Sequence, residues 1–220
     1  MCAERELEMH TEKEILSIIQ TGTESHAVEF KQSGDWNNYK YKIAKSAMAM
    51  ANKEDGGVII IGMARKRDGT YSPDGTEELQ VKEYNGDVIQ EFVNKYADPY
   101  VDLQLLSVEY DDKRFLAITI GEFDQIPVVC KKNYQPPKGN NPTDALNEGA
   151  VYIRSYRKPE TCQVKSQNEM RDILYLATRK NTRRFLEASQ RMGICPIGQQ
   201  AAISQQSQDS SLFDDQLEGL

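Results

Sequence analysis

Long apolar runs are missing from this chain. No stretch approaches the roughly 18–20 apolar residues that a membrane-crossing helix needs. The opening MCAERELEMHTEKE is charged where a secretory leader would be apolar. The expectation is a cytoplasmic protein with no membrane partner. Cysteine is scarce: Cys2, Cys130, Cys162 and Cys195 stand far apart and form no CxxC pair. That spacing argues against a zinc ribbon or a disulfide framework and fits free thiols in a reducing compartment. The GxxxxGK[ST] pattern is absent, so no phosphate-cradling loop is indicated. Histidine is nearly absent too. His10 carries no argument, and His26 reads as a surface residue of a strand.

What is present is an ordinary globular composition, 39% hydrophobic and 28% charged over 220 residues, which suits one domain plus an extension. The net charge of −7 speaks mildly against a nucleic-acid binder. Its distribution says more. Residues 151–191 hold ten Lys and Arg against four Asp and Glu, whereas residues 193–220 hold four acids and no base. A basic region thus precedes an acidic end.

The stretch Glu24–Asp68 organises the reading. Val28 and Phe30 alternate with Glu29 and Lys31, the period-2 pattern of a half-buried strand. Residues 38–52 follow as a helix with Ala44, Ala47 and Ala51 along one face. Gly56-Gly57 makes a turn, Val58–Met63 a strand whose continuous β-branched run Val58–Ile61 reads as buried, and Asp68-Gly69 a second turn. Upstream, Thr11 with Glu14 forms a capping box for a helix that Gly22 ends.

Downstream, Asp87–Ala97 is an amphipathic helix with Asp87 as its N-cap. Val101–Tyr110 and Arg114–Ile120 form a hairpin, Pro127–Cys130 and Ala150–Ser155 short strands. Residues 166–190 form the longest helix, with Met170, Ile173, Leu174, Ala177 and Phe185 as its core face. Trp36 falls in a loop. These elements predict a mixed helix–strand domain over residues 1–192 and a disordered Gln/Ser-rich acidic tail over 193–220. Leu212, Phe213 and Leu217 in that tail are candidates for docking a protein partner.

ESHAVEFK, then AMANKEDGGVIIIG, then AVYIRSYRKPETC, in this order and spacing, resemble the Schlafen AlbA-like domain family. The likeness spans about residues 11–180. It implies an α+β fold, a mixed β-sheet packed with helices, and nucleic-acid binding. Two-lobed relatives resemble a horseshoe that cleaves transfer and ribosomal RNA with three carboxylates and a divalent metal. A single lobe would reach that shape as a homodimer. The family's two glutamates fall on Glu24 and Glu29. Its third acid follows the GG strand, where this chain has Arg65, and the nearest acid is Asp68.

The resemblance therefore implies an endoribonuclease for structured RNA such as transfer RNA, with Glu24, Glu29 and Asp68 holding Mg2+ or Mn2+ and Lys31 assisting. Lys40, Arg65, Lys66, Arg67, Arg154, Arg157, Lys158, Arg179, Lys180, Arg183 and Arg184 are the candidate grip on an RNA or DNA backbone, with Tyr152 and Tyr156 able to stack on bases. The plain alternative is a same-face Glu29–Lys31 ion pair on an ordinary strand. It goes with a non-catalytic binding or regulatory module, or a subunit of an assembly, on the same fold.

Overall fold

The first helix starts where its capping box predicts. Glu14 N–H donates to the Thr11 hydroxyl, and Thr11 N–H donates back to the Glu14 carboxylate at 2.7 Å. Helix α1, Glu12–Thr21, then runs to Gly22, whose φ of 59° is the left-handed turn that glycine adopts most easily. The computed structural model describes residues 10–136, 145–155 and 157–194. The chain divides into two units, residues 1–175 and 176–220.

The first unit is built on one four-stranded sheet. Its strands are β1 (Val28–Lys31), β2 (Gly57–Ile61), β6 (Leu103–Tyr110) and β7 (Lys113–Ile120), in the order β1-β2-β7-β6. β1 and β2 are parallel, with Val28 opposite Val58, and the other neighbours are antiparallel. A parallel neighbour needs a crossover, and α2, Trp36–Ala51, supplies it. The β6–β7 turn places Asp111 and Asp112 at positive φ (52° and 57°), the primed geometry of a two-residue hairpin.

Strand alternation sorts the side chains. Val28, Phe30, Val58, Ile60, Phe115 and Ala117 face α1 and pack on Ile15 and Ile19. The opposite face lies under α2, which turns Ala44, Ala47, Met48 and Ala51 inward. Gly56 closes the α2–β2 turn at φ 64°, where a Cβ would meet the Ile120 carbonyl oxygen at 2.0 Å. Only glycine fits that approach.

Smaller pieces complete the unit: hairpins β3 (Met63–Arg65) with β4 (Tyr71–Pro73) and β9 (Tyr152–Arg154) with β10 (Thr161–Gln163); the pair β5 (Ala97–Asp98) with β8 (Val129–Cys130); helices α3 (Glu78–Glu83) and α4 (Gly86–Asn94). Asn52, the last residue of AMAN, is 5% exposed and fastens α2 to two of them. Its amide donates to the carbonyls of Val128 (2.8 Å) and Tyr152 (3.0 Å), and its oxygen accepts from Val128 N–H at 2.7 Å.

Helix α5, Gln167–Arg191, opens on a second capping box, with the N–H of Ser166 bonding Glu169 and the N–H of Glu169 bonding the Ser166 hydroxyl. The boundary between the units falls inside it. Among the described residues no helix is long and apolar enough to cross a membrane.

Several expectations are corrected. Trp36 is not in a loop: it is the first residue of α2, 7% exposed, its ring edge-on to Tyr84 and Phe92. The N-cap of α4 is Asn85, two residues before Asp87, and its side-chain oxygen accepts from Asp87 N–H. The run Val58–Met63 is broken at Gly62 (φ 113°), so Met63 belongs to the β3–β4 hairpin. On α5, Ile173 and Ala177 are buried as expected, but Met170, Leu174 and Phe185 are exposed (36%, 54% and 69%). Helical spacing finds a stripe but does not say whether anything covers it. The expected tail from residue 195 onward, with Leu212, Phe213 and Leu217, lies outside the described residues, as does Tyr156.

Candidate functional site

Of the acidic residues expected to hold metal, Glu29 sits on β1, Glu24 shortly before it and Asp68 in the β3–β4 turn. Phe30 faces α1, so Glu29 beside it faces α2 and Lys31 shares that face. Glu29 is 7% exposed. A carboxylate at that depth requires charged or hydrogen-bonding partners. Arg154 Nη1 donates to Glu29 Oε2 at 2.6 Å, and the Lys31 ammonium bonds Oε1. Ser46 of α2 adds a further hydrogen bond. Burial alone would raise the Glu29 pKa. The charges of Lys31 and Arg154, with these hydrogen bonds, outweigh it and hold the carboxyl below its usual range.

Arg154, expected to face a phosphate, is instead 4% exposed. Besides Glu29 its Nη1 donates to Thr161 Oγ1 (3.1 Å), and its Nη2 donates to the Pro159 carbonyl (2.9 Å). Thr161 Oγ1 lies 3.2 Å from Ser46 Oγ. One guanidinium therefore joins β1, α2 and the β9–β10 hairpin. Removing one partner of such a pair strands the other charge, at a cost of about 3–5 kcal/mol.

Glu24 precedes the strand and folds back towards it, as its spacing from Glu29 requires. Its Oε1 accepts Phe30 N–H at 2.8 Å, and its Oε2 accepts the Tyr71 hydroxyl at 2.8 Å. β1 is an edge strand, and Phe30 N–H would otherwise be an open donor on that edge. The Tyr71 ring packs edge-on to Phe30 at 5.0 Å. Its phenol is pushed up to about 12, first by burial, then by the hydrogen bond to Glu24 and the Glu24 charge. Glu29 adds to this shift and Arg65 opposes it, so both glutamates and Arg65 act on one hydroxyl.

Asp68 lies in the exposed β3–β4 turn. Its Oδ1 accepts Thr70 N–H (2.9 Å) and the Thr70 hydroxyl (2.7 Å), which hold the carboxyl below its usual range. Among the described residues, no group of three or more His, Cys, Asp or Glu is placed to hold a metal. Glu24, Glu29 and Asp68 each accept hydrogen bonds from protein donors of their own.

The other expected contacts divide by location. Arg65, on β3 opposite Tyr71, and Lys66 and Arg67 in the following turn are exposed. Arg157 and Lys158 are exposed at the tip of the β9–β10 hairpin. Lys40 is half-buried on α2, with its Nζ 2.9 Å from Asn37 Oδ1. Tyr152 is 1% exposed and accepts Asn147 N–H at 2.8 Å, so it offers no face to a base. In the second unit, Arg179 and Arg183 are exposed and Lys180 and Arg184 half-buried on α5, with Arg183 Nε 3.1 Å from Glu187.

Sequence reasoning missed Tyr71, Ser46 and Thr161. They carry no local pattern, because Tyr71 reaches Glu24, Ser46 reaches Glu29 and Thr161 reaches Arg154, each from a separate element. A hydroxyl two residues after Asp-Gly was the only hint of Tyr71.

Two solved structures are similar to this chain at low identity. The DIP2311 protein from Corynebacterium diphtheriae is 18% identical over 69% of this chain, with a TM-score of 0.42, and the match spans only 28% of that longer chain. The N-terminal domain of a RecG-related protein from Nitrosomonas europaea is 17% identical over 72% of this chain and 97% of its own, with a TM-score of 0.41. No curated protein matches the chain. The family described as Schlafen, AlbA_2 matches residues 24–163, a span that holds the EFK strand, the AMAN–GG turn and the Arg154 hairpin. By that match, which takes in well over half of its residues and points to a nucleic-acid partner, the chain belongs to the Schlafen AlbA_2 family.

Proposed function

We propose that this chain is a nucleic-acid-binding module of the Schlafen AlbA_2 type in which Glu24 and Glu29 are structural residues. The observation that carries this reading is the Glu29 carboxylate, buried and bonded to both Lys31 and Arg154. A metal ion at Glu29 would have to share the carboxylate with two cations already bonded to it. The backbone grip falls to the exposed Arg65, Lys66 and Arg67 turn and the Arg157-Lys158 tip.

Incubation of the full chain with total transfer RNA and with single-stranded DNA, in Mg2+, Mn2+ or chelator, tests it. The expected result is a retarded band that fades with salt over intact substrate in every metal condition. The logarithm of affinity should fall with the logarithm of salt, by about 0.7–0.9 per neutralised phosphate. Discrete fragments that need metal and disappear in Glu24→Gln would overturn it.

One observation favours a second reading, a metal-dependent endoribonuclease on structured RNA. Glu24 accepts the Tyr71 hydroxyl and the Glu29 charge also raises that phenol, so two of the three expected acids act on one group. In that reading a homodimer supplies the second lobe. Sedimentation of the chain with and without RNA tests the homodimer directly.

A further inference from the structure

Aromatic rings gather where α2, α4 and the segment after β8 meet. Tyr41 and Tyr134 stack with ring centroids 3.3 Å apart and planes 6° from parallel. Phe92 and Tyr96 approach Tyr41 edge-on at 5.3 and 5.9 Å. Trp36 closes the inner side against Phe92 at 5.6 Å. The cluster grades outward: Trp36 and Tyr96 are buried, whereas Tyr41, Phe92 and Tyr134 reach the surface half-buried. The core beneath α1 is different, consisting mainly of aliphatic side chains with no cation among them.

Positive charge surrounds these rings. Lys40 Nζ lies 5.7 Å from the Tyr41 centroid and 5.8 Å from that of Phe92. Lys95 Nζ lies 6.0 Å from the Tyr96 centroid. Lys131 N–H donates to the Tyr96 carbonyl at 2.7 Å, which fixes this segment on the cluster, and Lys131 and Lys132 are exposed. The nearby acids are fewer. Glu91 is exposed on α4, and Glu148 accepts from the Asn133 amide at 3.3 Å.

We propose that this patch is a binding site for single-stranded nucleic acid. Unpaired bases stack on the Tyr41–Tyr134 rings, and Lys40, Lys95, Lys131 and Lys132 contact the phosphates. The proposal rests on the nucleic-acid-binding reading above and adds the strand state that is recognised. Rings flanked by cations suit a base and its phosphate, since every base has a π-face and shows it only when unpaired. A duplex keeps its base faces covered and meets only the lysines. RNA and DNA share this chemistry, so both are needed in the test.

The experiment uses the full chain with end-labelled oligo(U), oligo(dT) and a DNA duplex of equal length, read by fluorescence anisotropy across a salt series. Tyr134→Ala should weaken both single strands by about 5- to 150-fold and leave the duplex and the salt slope unchanged. Tyr134→Phe should bind as the parent does. The exposed pair Lys131→Ala/Lys132→Ala should lower the single-strand salt slope by about 1.4, and it carries the test if Tyr134→Ala fails to fold. Unlabelled oligo(dT) should quench Trp36, the single tryptophan, which touches Phe92 in the cluster. Parent-like single-strand binding in Tyr134→Ala, or an unchanged slope in the lysine pair, overturns this site and leaves the binding reading standing. No binding by the parent chain at low salt overturns both.

Discussion

The β1 edge and the aromatic patch contain the same kinds of side chain and put them to opposite use. At the edge, Arg154, Lys31, Glu29 and Glu24 face one another or the backbone, and the protein itself provides their partners. At the patch, Lys131 and Lys132 are exposed, three and two residues before the half-buried Tyr134. A charge buried away from water must be matched within the fold, whereas a charge left in water stays available to a ligand. Residue type alone does not separate an anchor from a contact. Depth and partner do.

The largest expected effect breaks the edge. Arg154→Ala or Glu29→Ala should lower unfolding stability by about 3–5 kcal/mol in a denaturant titration, because each strands a buried charge. A parent-like midpoint for either would make the edge as dispensable as a surface site. Asn52→Ala should follow with about 1–3 kcal/mol, since it leaves Val128 N–H and two carbonyls without their bonds. Lys131→Ala/Lys132→Ala should leave the unfolding midpoint in place while weakening binding, the reverse of the Arg154 result.

Two pH effects sharpen the contrast. The folded Glu29 pKa lies below its unfolded value of about 4.3, so its stabilisation is full above that pH and is lost as pH falls through the folded value. Thermal scans should show this acid-side loss, and the loss should shrink in Glu29→Gln. The Tyr71 phenol is raised, to about 12, so the fold loses its contribution as pH climbs from about 10 towards that value. Glu24→Gln should bring the Tyr71 titration down in an ultraviolet difference spectrum, the smallest effect of the set.

Much of the scaffold was legible because its causes are local. The two capping boxes, the Gly22 stop, the period-2 strand and the Gly56-Gly57 turn each depend on neighbours a few residues away. The fold-back of Glu24 was legible too, since residues five apart on one strand face opposite sides. Its target, Phe30 N–H and Tyr71, was not. Tyr71 comes from a hairpin whose first strand read as the end of β2, because Val58–Met63 is apolar throughout and Gly62 gave no period to break. The fate of Arg154 was hidden for the same kind of reason. YIRSYRK reads as alternating aromatic and basic residues, yet 125 positions separate Arg154 from the carboxylate that claims it.

By itself the sequence determined the four strands of the main sheet, helices α1, α2, α4 and α5 and, through three short motifs in order, the family, but not β3, β4, β5, β10 or α3. Those follow from backbone propensity, side-chain period and turn chemistry, which act over a few residues. Only the tertiary structure decided which charges are anchors and which remain at the surface. It buried Glu29 with Arg154 beneath α2 and brought Tyr41, Phe92, Tyr96 and Tyr134 together from three distant segments. Burial and partner choice depend on what the rest of the chain places within a few ångströms, and distance along the sequence carries no record of that.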